Sequence, residues 1–271
     1  SLMHITSPHS LNENSTAKVM QLVLLASLPG IIALTLAFGW GTLTNIVIAS
    51  IAGLALESLA LYFSKKPLRF YLSDYSALVT AVLLGIALPP LSSWWIILTG
   101  MFFAIIVAKH FYGGLGYNPF NPAMVGYVVL LISFPVEMTR WVAPQALQDA
   151  AQTPNLLQSF IHVLGGGSIN LDGITAATPL DLARQNSAEM FSDLRERYTQ
   201  FGRWSGTGWE WANLGFLAGG LFLLYKKIYS WHAPVSMLLT LTVFAAVFYD
   251  GGSSNSIGSP LFQLLSGATM L

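Results

Sequence analysis

Apolar runs long enough to cross a bilayer, broken only by short turns, constrain this chain before any motif does. Val19 to Phe38 contains no charged residue and matches the roughly 20 apolar residues that a hydrocarbon core demands. After a chargeless turn at Gly39-Trp40-Gly41, Leu43 to Phe63 forms a second run with a single carboxylate, Glu57, inside it. A third run, Tyr75 to Leu88, is only 14 residues long and is closed by Pro89-Pro90; a fourth, Trp94 to Val107, leads to Lys109-His110. Pro122, a residue suited to a helix start, opens a fifth short run that ends near Phe134. Trp211 to Tyr225 and Trp231 to Tyr249 are the sixth and seventh, and an eighth begins at Pro260. The fold class is therefore an all-α polytopic membrane protein with short, interrupted helices.

Between the fifth and sixth runs lies the one long polar stretch. The chain divides into a polar start (1–18), a five-span bundle (19–136), a polar segment (137–210) and the C-terminal spans (211–271). Gly165-Gly166-Gly167-Ser168 reads as a flexible hinge in the polar segment, and Leu182 to Tyr198 as a short amphipathic helix. With 54% hydrophobic and 9% charged residues, the chain is far from the roughly 25% charge of a soluble domain. Zero net charge and the lack of a basic cluster set nucleic acid aside. The chain has no cysteine, which excludes thiolate-held iron–sulfur clusters and disulfides, so any redox centre it owns must be organic. The five histidines, His4, His9, His110, His162 and His232, have no metal-ligand spacing, and no metal is assigned.

Basic residues set the orientation. Lys18, then Lys65, Lys66 and Arg69, then Lys109, then Lys226 and Lys227 fall on one side, whereas the turns near Gly39, Pro90 and Gly251 have none. By the positive-inside rule the N-terminus is cytoplasmic and the 137–210 segment faces outward. All eight tryptophans fall at span ends or in that segment, as an interfacial belt requires.

Inside the polar segment stands Asp172-Gly173-Ile174-Thr175-Ala176-Ala177-Thr178-Pro179. The proline keeps a helix from starting upstream and leaves Thr178 on a small-residue turn, open to approach. A threonine hydroxyl needs activation to act as a nucleophile, and no His is near it in sequence, so Thr178 reads as another enzyme's substrate rather than a catalyst. Asp-x-x-Thr-Ala-Ala-Thr resembles the acceptor motif on which a flavin transferase attaches FMN, through its phosphate, to the last threonine. That motif belongs to the RnfD/NqrB family, membrane proteins of the Rnf electron-transport complex and of the sodium-translocating NADH:quinone reductase. The segments Trp40-Gly41-Thr42-Leu43, Asp74-Tyr75-Ser76-Ala77-Leu78, Phe111 to Met124 and Ser266 to Leu271 are similar to the RnfD branch as well, so the likeness covers nearly the whole chain. It implies covalent FMN on Thr178, with Asp172, Thr175 and Ala177 as motif positions read by the transferase. It also implies an inverted-repeat helical core and a second, non-covalent flavin such as riboflavin, for which Asn118 and Asn121 at the head of the fifth span are the candidates. The family continues past Leu271, which makes the eighth span a truncated one.

The resemblance implies a flavin-bearing component of a complex that couples electron flow between ferredoxin and NAD to cation movement in the bacterial inner membrane. Its partners would be the A, B, C, E and G subunits of that Rnf complex, with lipid around them. The compact polar start favours Rnf over the quinone reductase, whose corresponding protein has an N-terminal extension. A solute channel without flavin is the rival from another class. Glu57 is an intramembrane acid and hence a candidate for the ion path, although it lies near enough to the lysine-bearing end to pair with Lys65 or Lys66. Lys109 and His110 read as interfacial anchors. Thr269 lacks the motif's acid, Gln263 standing in its place, and is set aside. Gly113-Gly114-Leu115-Gly116 follows a membrane helix rather than a strand, so a dinucleotide loop is rejected.

Overall fold

The computed structural model describes residues 8–114, 119–148, 153–167, 169–186, 191–249, 259–267 and 269–270; among these the regular elements are all helical, with two isolated β-bridges and no strand. In order they are α1 (Pro8–Phe38), α2 (Gly41–Phe63), α3 (Leu68–Leu72), α4 (Ser76–Ala87) and α5 (Trp94–Phe102), which continues as π-helical turns over Phe103–His110. Then come α6 (Pro122–Ser133), α7 (Pro135–Thr139), a 3-10 turn, α8 (Leu156–Val163), α9 (Leu171–Ile174), α10 (Pro179–Gln185) and α11 (Phe191–Arg197). The last three are α12 (Trp209–Tyr225), α13 (His232–Phe248) and α14 (Pro260–Leu264).

Thr16–Phe38 and Gly41–Phe63 are each long and apolar enough to cross a membrane alone. Leu36, Phe63, Ile132 and Val247 are each more than two-thirds exposed, an outer surface that suits lipid and not water. The chain is membrane-embedded. The expected spans fall on α1, α2, α4, α5, α6, α12 and α13, with two differences. The segment read as a polar start is helical from Pro8, so α1 extends well beyond its apolar run. The stretch 182–198 is two short helices, α10 and α11, with residues 187–190 outside the described residues. The run that begins at Pro260 is present as α14, five residues long, with Gly267 at φ 53 after it. Asn213 on α12 holds this end of the chain, donating from Nδ2 to the Leu265 and Gly267 carbonyls at 3.0 and 2.8 Å and accepting from Met270 N at 3.0 Å.

Small residues bring α1 and α12 together. A Cβ added to Gly215 would sit 2.7 Å from the Pro29 carbonyl oxygen, and one added to Gly219 2.0 Å from that of Ala26. With lipid outside, helix association depends on such close backbone approach. On the other side α2, α4, α5 and α6 share a core around Leu84, Ile97, Met101 and Leu130, and Val142, Val163 and Ile174 of the polar segment complete it. The polar segment is thus docked onto the bundle. Its glycine stretch turns at Gly165 and Gly167, with φ of 88° and 83°, while Ser168 lies outside the described residues.

Gly219→Ala should destabilise the fold by about 1–3 kcal/mol, the usual cost of overpacking. Gly220→Ala is the control, since its added Cβ would meet only the Tyr229 hydroxyl, at 3.4 Å. Thermal unfolding in detergent should show a lower Tm for the first variant and no change for the second.

Candidate functional site

Two polar centres stand at opposite ends of the bundle. At the end away from Lys65, Lys66, Lys226 and Lys227, residues 174–176 lie antiparallel to 141–143. Ala143 N donates to the Ile174 carbonyl at 2.8 Å, Ala176 N donates to that of Trp141 at 3.1 Å, and Val142 pairs with Thr175. Two residues on, Thr178 takes an extended conformation (φ −71, ψ 156), with Pro179 in the first position of α10. Its Oγ1 accepts the Asp181 N–H at 3.3 Å. The proline therefore acts as expected, and Thr178 is the helix cap.

Thr178 is less exposed than an undocked turn would leave it. It is half-buried and lines a cavity of about 480 Å3 whose walls include Leu34, Leu83, Met124, Tyr127 and Phe216. On its other side it borders a small cleft with Ala176, Ala177 and Gln200. Trp141 and Trp209 border both spaces; their ring centroids are 4.8 Å apart, and Phe38 lies 4.9 Å from Trp209. Asp172 is exposed, Thr175 and Ala177 are half-buried, and Ala177 packs near Phe201 and Phe262. Asn121, expected at a second flavin site, lines the same cavity as Thr178, and its side chain accepts from Ala123 N at 2.9 Å. Asn118 lies outside the described residues. Thr269 donates to the Gln263 and Ser266 carbonyls and lines a different, apolar cavity between α1, α12 and α13.

Sequence reading missed the supports of this centre. Glu210 Oε1 accepts the Trp204 and Ser205 amides, both at 2.7 Å, and so shapes the loop that brings Gly206 against Pro179. A carboxylate in the first turn of α12 was a visible signal, since anions suit helix N-termini.

The second centre is deeper. Glu57 is 2% exposed and reaches neither the interface nor Lys65 or Lys66; Lys66 lies over the Tyr71 ring instead. Its Oε1 accepts Lys109 Nζ at 2.7 Å, and His110 Nε2 lies 2.9 Å from Oε2. Lys109, 3% exposed, also donates to Ser76 Oγ at 2.6 Å. The Ser76 amide and hydroxyl both donate to Asp74 Oδ1 at 2.8 Å. Lys109 and His110 are therefore not interfacial anchors. The π-helical turns that end α5, seen in Phe111 N donating to Ile106 O and Gly114 N to Lys109 O, bring consecutive residues to the two oxygens of one carboxylate. Such turns recur at functional sites. Removing Lys109 from the orientation count leaves Lys18, Lys65, Lys66, Arg69, Lys226 and Lys227 with the same asymmetry.

A family profile described as the NQR2, RnfD, RnfE family matches residues 3–271. The chain belongs to that family. It is 52% identical over its whole length to a Cellvibrio japonicus protein named as the D subunit of an ion-translocating oxidoreductase complex, covering 76% of that protein. A protein of the same name from Ectopseudomonas mendocina is also 52% identical, with 100% of this chain and 76% of the relative covered. One from Salmonella typhi is 47% identical, with 98% and 78% covered.

Lys109→Met should cost about 3–5 kcal/mol by leaving a buried carboxylate without its cation. The double change Glu57→Gln with Lys109→Met should recover most of that. Urea or thermal unfolding of the four proteins in detergent measures the coupling; additive losses would mean that the two groups do not stabilise each other.

Proposed function

We propose that this chain is the flavin-bearing membrane component of an ion-translocating oxidoreductase complex of the Rnf type, with FMN joined through its phosphate to Thr178. One observation carries the reading: Thr178 lines a mostly apolar cavity of about 480 Å3 that Asn121 also lines. That volume is within the range of small-molecule sites, roughly 300–1,000 Å3. The residues fit the group. Thr178 supplies the covalent oxygen, Leu34, Leu83 and Phe216 an apolar enclosure for a planar ring, and Asn121 and Tyr127 polar atoms within it. When bound, the flavin supplies the electron-transfer chemistry, while the protein fixes its position and excludes water.

The relatives carry the name of the D component of such a complex, which supports the Rnf reading over the quinone reductase, and a channel would have no use for a flavin acceptor. With no cysteine to hold a cluster, the chain takes electrons through its partners, the A, B, C, E and G subunits, in a path between ferredoxin and NAD. A maturing transferase reads Asp172, Thr175 and Ala177. The membrane is the bacterial inner membrane, with the N-terminus cytoplasmic and the Thr178 segment periplasmic; the six remaining basic residues at the opposite end support this orientation. Asn121 serves here as a wall of the FMN cavity and lends no support to a separate riboflavin site.

Glu57 belongs to the ion path in this reading. What supports it is burial together with a chain of donors and acceptors leading from half-buried Asp74 through Ser76 and Lys109 to the carboxylate. Both oxygens already have nitrogen partners, so an arriving cation competes with Lys109 for Oε1.

Thr178→Ala should remove covalent flavin while changing stability by about 1 kcal/mol, the cost of a lost cap. In-gel fluorescence and peptide mass spectrometry after co-expression with the transferase are the checks, and flavin found elsewhere or nowhere would reject the assignment. In proteoliposomes of the full complex, Glu57→Gln should lower the cations moved per electron with flavin retained. An unchanged ratio would take Glu57 out of the path. A cysteine at Asp172 should react with an impermeant maleimide in cells with a permeabilised outer membrane, and one at Lys66 should not.

A further inference from the structure

The acceptor motif is folded away in the state that holds the cavity. Ile174, inside the motif, is 3% exposed and belongs to the same core as Leu84 and Met101. The residues on either side of Thr175 are tied by backbone bonds to 141–143, and Thr178 Oγ1 is engaged by the Asp181 amide. Pro179 is buried against Gly206, and Trp141 and Trp209 line the same cavity as Thr178. Flavin transfer needs a second protein to surround that oxygen. Thr178 Oγ1 must form a bond to the flavin phosphorus while the pyrophosphate bond of a flavin dinucleotide breaks. The hydroxyl proton passes to the transferase's base, the flavin mononucleotide stays on Thr178, and the adenosine monophosphate half leaves. A modifying enzyme that reads Asp172, Thr175 and Ala177 along with Thr178 must take in the segment 172–178 as a unit, and three of its residues are pinned or buried here.

We propose that segment 171–179 is a strap which must come off the 141–143 edge before Thr178 can be modified, and which carries the flavin into the cavity when it docks again. The inference rests on the Thr178 assignment above. Rupture of the two backbone bonds and exposure of Ile174 make the opening a minor state of the folded protein, so transfer onto folded protein is limited by the strap's release.

The absence of cysteine makes the test direct. The bonds from Ala143 N to Ile174 O and from Ala176 N to Trp141 O make Val142 and Thr175 a non-hydrogen-bonded antiparallel pair. Such pairs have Cα atoms about 4.5 Å apart, within disulfide range. The folded, flavin-free chain carrying Val142→Cys and Thr175→Cys is treated with purified transferase and a flavin dinucleotide, oxidised or reduced, and flavin is read by fluorescence in denaturing gels and by intact mass. The oxidised form should be modified at least tenfold more slowly than the reduced form, and reductant should restore the rate. Ala143→Pro, which deletes the amide that holds Ile174, should be modified several-fold faster than the unaltered chain. Equal rates for oxidised and reduced protein, or no acceleration in Ala143→Pro, would overturn the strap. If Thr175→Cys alone blocks recognition, the Ala143→Pro comparison decides. Unaltered chain that takes no flavin would instead reject the Thr178 assignment.

Discussion

Two helices of twelve residues, α4 and α6, rise about 18 Å each and cannot cross roughly 30 Å of hydrocarbon. Each must begin or end inside the bundle, where unpaired backbone groups are costly unless protein satisfies them. The two centres answer to that shortfall. α4 begins at Ser76, whose amide is taken by Asp74 and whose hydroxyl meets Lys109, so the buried helix start is also where the Glu57 ion pair is anchored. α6 begins at Asn121, which caps its own helix and borders the cavity. Interrupted helices in this protein therefore create interior polar positions that continuous spans would fill with apolar side chains.

Much of this was legible in the residues. Pro89-Pro90 and Pro122 mark the ends of the short helices because proline lacks a donor and fixes its own φ, a local effect that survives any packing. Thr178 and Pro179 likewise announce a helix cap. What could not be read was which distant groups meet. Glu57 and Lys109 are separated by 52 positions, and the nearer lysines, Lys65 and Lys66, were the natural partners by sequence distance. The π-helical turns that swing Lys109 and His110 inward have no simple sequence signal. The run that begins at Pro260 also mixes roles that its residue types alone do not separate: Phe262 and Leu265 are buried, whereas Leu261 is exposed.

The surroundings of Thr178 were hidden for the same kind of reason. Small residues and a proline do describe an accessible turn when the segment is taken alone. Docking is a tertiary event, driven by Ile174 and Val142 entering the core beside Leu88 and Ile97, and a local pattern has no means of reporting it. The motif therefore encodes a local turn and cap, while the surrounding core encodes where that turn finally rests.

The cavity walls have one more consequence, for the order of assembly. They draw on Leu34 from the first helix, Leu83 from the fourth, Phe216 from the twelfth, and Ser266 and Gly267 near the last described residues. Because α1 meets α12 across more than 170 intervening residues, the compartment has no complete wall while the chain is still emerging from the ribosome. A membrane-inserted chain without α12 would have a docked core of α2, α4, α5 and α6 and a cleft open along one side. The enclosure is thus among the last features of this fold to form, and a nascent chain presents its helices to lipid well before it can close this compartment from solvent.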